Sequence, residues 1–379
     1  MYRVASRSTT HAIPSQGLRF LIHAAAMLTL ALPLASRAAD KPFLPPPAAA
    51  VSTVPVNGDV NPYGTAFAAL SSQDRDDRDS LQNSVLQPGD LLVSNFNNAL
   101  NLQGTGTTIV RVDAHGNQSL FFQGSVQYAG LSAALGVLND GTVLVGNLKT
   151  TDGTSNTATA GALQIVSNTG QLLNVIANSA IDGPWGMAIN EGDRTVEAYI
   201  SNVLNGTIAR LLLEHNASGL RLERATVIAT DLNHRPDPAA LELGPSGLLY
   251  SPWNDTLYFA SSSDNAIYKI EHASTVGADE AVPTLFIQDL THLHGPIDLA
   301  FAPDGHLLVA NSDGSNADPN QPSEIVEYTA GGTFVAQFSV DANNGGAFGI
   351  ATQRAGVITR LAAVDDNMNK VTIFSEVGR

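Results

Sequence analysis

Short apolar runs separated by turn-forming residues recur along most of this chain. The run Leu299-Ala300-Phe301 is followed by Pro303-Asp304-Gly305, and a second apolar run, Leu307–Ala310, ends at Asn311. Proline presets φ and glycine accepts a positive φ, so the residues between the two runs predict a tight turn. The pattern therefore predicts two antiparallel strands joined by a hairpin.

The same pattern occurs six times. The intervals between the ends of successive second strands are 52, 55, 59, 50 and 54 residues, and these ends are Asn95, Asn147, Asn202, Ser261, Asn311 and Asp365. Five of the first strands open with a Pro-x-Gly-like tripeptide, at Pro62, Pro184, Pro245, Pro296 and Ala347, whereas the second copy has Ser132-Ala133-Ala134. Each copy has a third strand, at Thr108–Val112, Ala162–Val166, Thr207–Leu211, Ala266–Ile270, Glu324–Tyr328 and Lys370–Phe374.

A fourth strand follows in five of the copies, and four short strands per repeat are typical of a β-propeller blade. One blade cannot bury both faces of its sheet alone, so the array must close into a ring. We therefore predict an all-β fold, a six-bladed β-propeller with four-stranded antiparallel blades. The alternative is an unrelated β-sandwich with accidental similarity between its segments.

The sixth copy has too few residues after Lys370–Phe374 to form a fourth strand. An unpaired strand edge is avoided in soluble proteins. The segment Val51–Val56 has strand-forming residues and lies immediately before the first copy. We predict that Val51–Val56 pairs with Lys370–Phe374 and closes the ring as the outer strand of the sixth blade.

These motifs resemble those of NHL-repeat propellers and of the gluconolactonase/regucalcin-like six-bladed families. The resemblance covers roughly residues 61–375 and rests on Pro-x-Gly before the inner strand, Asp-Gly at the first turn, and Asn or Asp ending the second strand. It implies the propeller fold. It indicates little about activity, because one fold supports many functions.

The first 38 residues have the pattern of a secretory signal peptide. Arg3, Arg7 and Arg19 precede the apolar run Phe20–Leu34, and Ser36-Arg37-Ala38 fits a small-x-small cleavage site. A membrane anchor is the alternative, but this run is short for a span of about 20 residues. We predict a signal peptide at 1–38, a Pro- and Ala-rich linker at 39–50, and the propeller at 51–379, secreted or periplasmic.

The charge of the mature chain argues against some partners. Without the signal peptide, 15 Lys and Arg stand against 35 Asp and Glu, a net charge of −20. Such a chain is a poor ligand for nucleic acid or anionic membranes. We expect no nucleic-acid partner, no membrane insertion after signal removal, and a monomer. Cysteine is absent, which excludes disulfides and thiolate chemistry.

In a propeller, the loops entering the innermost strands and those leaving the second strands share one face. The sequence therefore predicts two rings of side chains at the channel mouth. From them we select as ligand-binding candidates Asn95, Asn147, Asn202, Asn311, Trp185 and Tyr63. Amide groups suit the hydroxyls of a small polar ligand or glycan. Alternatively, each Asn bonds nearby backbone and shapes its turn.

Metal-binding candidates are Asp298, His294, His234 and Asp365. Asp298 occupies a position that is Gly in four copies, where a carboxylate is costly unless it is paired, solvated or bound to metal. The gluconolactonase-like resemblance implies an axial divalent cation held by an early Glu, an Asn entering an inner strand, and an Asp ending a second strand. Only Asp365 matches by position, and it lies in a different blade. The segment Ser312–Asp318 is interpreted as an ordinary loop.

Two main functional hypotheses and a weaker third one, a purely structural secreted scaffold, follow, and no catalytic residue is identified. The favoured hypothesis is an exported NHL-type propeller that binds a small polar molecule, glycan or protein at the channel mouth. The alternative is a metal-dependent hydrolase, a lactonase or lyase, with a divalent metal ion as cofactor on the axis. That alternative needs two or three ligands converging on one point with an open position.

Overall fold

The computed structural model describes residues 41–44, 49–68, 84–216 and 219–377. The predicted signal peptide, residues 1–38, lies outside the described residues, as do 39–40 and 45–48 of the predicted linker. Within the described ranges no helix has the length and apolar content needed to cross a membrane.

Six four-stranded antiparallel sheets form a six-bladed propeller, as the repeat predicts. Blade 1 contains β2 to β5, at Val60–Phe67, Leu91–Asn97, Thr108–Val112 and Gln118–Gln123. Blade 2 contains β6 to β9, at Leu131–Val137, Val143–Asn147, Ala162–Val166 and Leu172–Ile176. Blade 3 contains β10 to β13, at Pro184–Glu191, Thr195–Asn202, Thr207–Asn216 and Gly219–Ala229.

A short ribbon of two strands, β14 and β15, at Arg235–Asp237 and Leu241–Leu243, separates blades 3 and 4. Blade 4 contains β16 to β19, at Pro245–Ser251, Thr256–Ser261, Ala266–Glu271 and Thr284–Ile287. Blade 5 contains β20 to β23, at Pro296–Phe301, Leu307–Asn311, Glu324–Tyr328 and Phe334–Ser339. The described residues also include two 3-10 turns, Val126–Tyr128 and Ser155–Thr157.

Blade 6 joins the two ends of the chain. It contains β24, β25 and β26, at Ala347–Ala355, Ile358–Asp365 and Lys370–Val377, and its outermost strand is β1, Ala49–Ser52. The N-terminal closing strand is confirmed, but its predicted position, Val51–Val56, is wrong. Ala49 pairs with Ile373 and Ser52 with Lys370. The chain then leaves the ladder, where Thr53 N donates to Asn369 O at 2.9 Å, and Pro55 has no amide to donate.

Apolar side chains are buried between successive blades, which explains why the strands read as nearly continuous apolar runs. Separate clusters fill the spaces between blades 1 and 2, 2 and 3, 3 and 4, and 4 and 5. The remaining cluster joins blades 5, 6 and 1 and extends to the mouth end of the central axis. The ring is therefore held together by interfaces between neighbours rather than by one central core.

Close packing at the axis explains the glycine in the Pro-x-Gly motif. A Cβ added to Gly349 would lie 2.1 Å from Tyr63 O, and one added to Gly186 would lie 2.3 Å from Ser246 O. Each contact joins the inner strand of one blade to that of the next. A register shift follows the opening residue of five inner strands and follows Pro62 in β2, and such bulges redirect the adjacent side chains.

Candidate functional site

A cleft of about 380 Å³ opens at the mouth end of the propeller. We call it the mouth cavity. Its walls come from loops that follow second strands, from the β14–β15 ribbon and from the starts of inner strands: Asn61, Tyr63, Gln103, Asp237, Ala239, Ala240, Ser312, Asp313, Gly314, Asn344, Gly345, Phe348 and Asp366. Three of these described lining residues, Asp237, Asp313 and Asp366, are acids, and none is Lys or Arg. The cavity is therefore rich in hydrogen-bond acceptors and acidic groups.

An aromatic plug lies at the base of the mouth cavity and consists of Tyr63, Phe96, Trp185 and Phe348. The Tyr63 ring stacks on Phe348 at 4.3 Å and on Phe96 at 4.6 Å, measured between ring centroids. Trp185 packs edge-on against Tyr63 at 5.6 Å and against Phe96 at 5.3 Å. All four rings are buried. Tyr63 and Trp185 therefore lie together as packed hydrophobic residues, and of these two Tyr63 borders the cavity.

The four predicted ligand-binding asparagines do not face the mouth cavity. Asn95, Asn147, Asn202 and Asn311 are each no more than 1% exposed. Each donates its amide to the backbone carbonyl of a residue in the segment that leads into the inner strand of its own blade. The acceptors are Thr53, Ala129, Ala180 and His292 respectively, at 2.7–3.0 Å.

In Asn147 and Asn202 the amide oxygen also accepts a backbone N–H, from Ala162 at 3.1 Å and Asp182 at 2.9 Å. The expectation of direct ligand contact is therefore corrected. These amides satisfy buried backbone groups and tie each blade to its preceding loop, which is the local structural alternative considered for them.

Asp298 faces the axis but does not meet the other predicted metal ligands. Its two carboxylate oxygens accept Leu299 N and Ile350 N, both at 2.9 Å, so the side chain bridges blades 5 and 6. Burial raises the pKa of Asp298 to about 7, against the opposing effect of these two amides. Because both oxygens are already committed to backbone donors, Asp298 is a bridge between blades in this structure.

The remaining predicted metal ligands are dispersed. Asp365 is buried, forms an ion pair with Lys370 Nζ at 2.9 Å and accepts Met368 N at 3.1 Å. His234 is exposed and its Nδ1 lies 3.1 Å from the carbonyl of Leu232. His294 is buried beside Glu324, with 3.1 Å between His294 Nδ1 and Glu324 Oε1. The predicted set therefore does not come together as one site.

The axial ligand set that the resemblance implies is not assembled at the starts of four inner strands. Tyr63, Trp185, Ile297 and Phe348 start inner strands, where the gluconolactonase-like resemblance implies a polar ligand, and all four are apolar or aromatic and buried. Asp365, which matches the Asp of that ligand set, is neutralised by Lys370. Three rings of the aromatic plug, those of Tyr63, Trp185 and Phe348, thus start inner strands, and none of them offers the amide ligand that the resemblance implies for one such position.

The acids of the mouth cavity were not selected from the sequence. Burial, followed by the negative charge of Asp365, raises the pKa of Asp366 to about 8. Burial also raises the pKa of Asp313, although Gly345 N and Ser323 N each donate to its Oδ2 at 2.9 Å. Asp237 is different, because backbone donors and Arg235 outweigh its partial burial and lower its pKa.

The sequence did contain a signal for two of these acids. Asp313 lies two residues after a second strand, and Asp366 directly follows another, so the repeat places both at the mouth end. The interpretation of Ser312–Asp318 as an ordinary loop missed this. Asp237 could not have been found in the same way, because the β14–β15 ribbon has no counterpart in the other repeats.

No family model and no curated protein sequence matches this chain. Several solved structures do match it. A gluconolactonase from Xanthomonas campestris superposes with a TM-score of 0.51 at 11% identity, covering 87% of this chain and 98% of that protein. A protein of unknown function from Bacteroides thetaiotaomicron gives 0.51 at 10% identity, covering 86% and 76%. The calcium-binding protein regucalcin from Agrobacterium tumefaciens gives 0.49 at 14% identity, covering 87% and 95%. The likeness shows the fold: this chain shares a six-bladed propeller with the gluconolactonase from Xanthomonas campestris.

Proposed function

We propose that this protein is an exported propeller that binds a small polar molecule in the mouth cavity. The observation that carries the proposal is the chemistry of the cavity walls, where three carboxyl groups, Asp237, Asp313 and Asp366, surround one cleft without a lysine or arginine among the described lining residues. A ligand that carries several hydrogen-bond donors, hydroxyl or ammonium groups, complements such walls.

The size and the base of the cavity agree with a ligand of this kind. A volume of about 380 Å³ lies in the range of small-molecule sites and is small for an extended glycan or a protein segment. Tyr63 and Phe348 give the cavity an aromatic base on which the apolar face of a sugar or an alkyl ammonium group can pack. Asn61 and Gln103 also line it, and each has an amide oxygen buried without a hydrogen-bond partner.

Export and a monomeric state are part of the proposal. The basis for export is the pattern of residues 1–38, and the basis for solubility without nucleic acid or membrane partners is the mature net charge of −20. Mass spectrometry of the exported protein should give Ala39 as its first residue. A protein retained with its first 38 residues would contradict this part of the proposal.

Metal-dependent hydrolysis is the second candidate function. It is favoured by one observation, the proximity of His294, Asp313 and Glu324 beside the mouth cavity. The gluconolactonase from Xanthomonas campestris shares only the fold with this chain. Release of acid from sugar lactones, measured with and without a chelator, tests this candidate separately from binding.

The binding proposal is tested by calorimetric titration of the mature protein with sugars, polyols, sugar lactones and small amines. A ligand of this chemistry should bind the wild type. At a pH above 8, where the Asp366 carboxyl is ionised, Asp366→Asn should weaken binding by roughly 10-fold or more through the loss of a partly desolvated charged acceptor. Asp193→Asn is the matched control, because Asp193 is exposed in the β10–β11 turn at the opposite end of its blade. Equal affinities in all three proteins would place the ligand outside the mouth cavity.

A further inference from the structure

An imidazole and two carboxyl groups come together inside blade 5, away from the axis. His294 lies in the loop before β20, Asp313 follows β21, and Glu324 begins β22. One potential ligand atom from each lies within 4.8 Å of the other two. His294 and Glu324 are 2% and 1% exposed, whereas Asp313 is half-buried and also lines the mouth cavity.

The charge of this cluster is not balanced by protein groups. Among the described residues, His294 is the basic partner of Glu324, and no Lys or Arg forms an ion pair with Glu324 or Asp313. Burial raises the pKa of both acids. Two carboxylates that share one imidazole retain at least one uncompensated negative charge, which is costly in a buried site unless a cation or proton is present.

Surrounding groups hold these side chains and leave ligand atoms free. Asn311 Nδ2 donates to Glu324 Oε2 at 3.3 Å, and two backbone amides fix Asp313 Oδ2. Asp313 Oδ1 and the amide oxygen of the fully buried Asn311 are left without a hydrogen-bond partner. Orientation of metal-ligating side chains by such neighbours is usual in metal sites.

A second cluster, Asp304, His306 and Glu327, is less suited to a metal. Both oxygens of Glu327 already accept backbone amides from the N-terminal segment, and His306 Nδ1 lies 2.5 Å from Glu327 Oε1. Asp304 is exposed in the β20–β21 turn. The acids of that cluster are therefore already hydrogen-bonded or exposed to solvent, whereas Asp313 in the blade-5 cluster keeps a buried oxygen without a partner.

We propose that His294, Asp313 and Glu324 bind a divalent transition-metal ion, zinc or manganese, in an off-axis site that opens toward the mouth cavity. One imidazole with two carboxylates suits these ions, whereas calcium prefers oxygen ligands alone. Two ligands of a tetrahedral zinc ion, each about 2.1 Å from the metal, lie about 3.4 Å apart. Ligand atoms that are now as much as 4.8 Å apart would therefore need to approach by up to about 1.4 Å, whereas His294 and Glu324 are already 3.1 Å apart. The site does not depend on the proposed mouth ligand.

The test uses mature protein stripped with a chelator and dialysed. Titration with Zn²⁺, followed by calorimetry, should give one equivalent bound, and Asp313→Asn and Glu324→Gln should each weaken that binding by roughly 100-fold or more. Asp304→Asn, in the other cluster, is the matched control and should bind zinc as the wild type does. Circular dichroism of each metal-free variant establishes that its fold is intact.

Crystals of wild-type protein soaked in zinc provide a readout that does not depend on any variant. An anomalous difference peak within bonding distance of His294, Asp313 and Glu324 supports the site. A peak at Glu327, no bound equivalent in the wild type, or unchanged affinity in folded Asp313→Asn and Glu324→Gln would overturn it.

Discussion

The N-terminal segment that the sequence presents as a linker is packed against blade 5. Phe43 N donates to both oxygens of Glu327, at 2.9 and 3.0 Å, and Leu44 N donates to Glu327 Oε2 at 3.2 Å. The Phe43 side chain is 8% exposed and Glu327 is fully buried. We therefore expect that removal of residues 39–44 destabilises the propeller, although β1 remains in place.

The expected decrease in the free energy of unfolding is the sum of two contributions. Deletion of the buried Phe43 side chain removes about 2 kcal/mol of stabilisation from apolar burial. Loss of two N–H donors, Phe43 N and Leu44 N, from a buried carboxylate adds roughly 1–3 kcal/mol, since His306 remains as its partner. The total is about 3–5 kcal/mol. With an unfolding entropy of about 2.1 cal/mol/K per residue, the mature chain of 341 residues should melt roughly 4–7 °C lower.

Differential scanning calorimetry compares the mature protein with truncations that remove residues 39–44 and 39–53. The longer truncation also removes β1 and exposes the edge of β26, so its melting temperature should fall further. Val56→Ala is the control, because Val56 is fully exposed. If the truncation lacking 39–44 melts within 1 °C of the intact protein (roughly 0.7 kcal/mol or less), the packing of Phe43 and Glu327 contributes nothing and the reasoning is refuted.

A double-mutant cycle sharpens the test. In the intact protein, Glu327→Gln should be destabilising, because one acceptor for the Phe43 and Leu44 amides becomes a donor. In the truncation lacking 39–44, the same substitution should be much less harmful, because it removes a buried charge that has lost both of its N-terminal amide donors. Equal effects in both backgrounds would show that Glu327 and the N-terminal segment are not coupled.

Three further outcomes are expected. Asn202→Ala should lower the free energy of unfolding in urea by about 2–4 kcal/mol, through loss of the bonds to Ala180 and Asp182, whereas Asn174→Ala, on the exposed face of β9, should change it by less than about 0.5 kcal/mol. The pKa of Asp298 is about 7 in the folded protein and near 3.8 in the unfolded chain, so its contribution to stability is lost as the pH rises from about 4 through about 7. In Asp298→Gly, the free energy of unfolding in urea should therefore change less with pH over that window. An unchanged pH dependence would count against a buried carboxyl at this position. Trp185→Ala should lower the free energy of unfolding in urea by about 3–5 kcal/mol by leaving a cavity in the aromatic plug. A decrease below about 1 kcal/mol would mean that the plug is not tightly packed.

The repeat in the sequence determined the architecture. Strands β4, β8 and β22 have the predicted bounds, because the apolar run and the turn residues on either side of it are local signals that recur in every blade. Ring closure by an N-terminal strand also followed, because an unpaired edge in the sixth blade was visible from the count of strands. The register of β1 did not follow, since Ala49–Ser52 and Val51–Val56 both have residues that can form a strand.

The site was decided by tertiary structure. The repeat placed Asn202 at the mouth end, but only the folded chain shows that its side-chain amide donates a hydrogen bond to the backbone carbonyl of Ala180. Nothing local distinguishes an amide that caps a loop from one that meets a ligand, because both end a strand at the same position. His294, Asp313 and Glu324 are likewise brought together from three different segments of blade 5. Side-chain direction, burial and the pairing of charges depend on contacts distant in sequence, and a repeat pattern records only the local part of those forces.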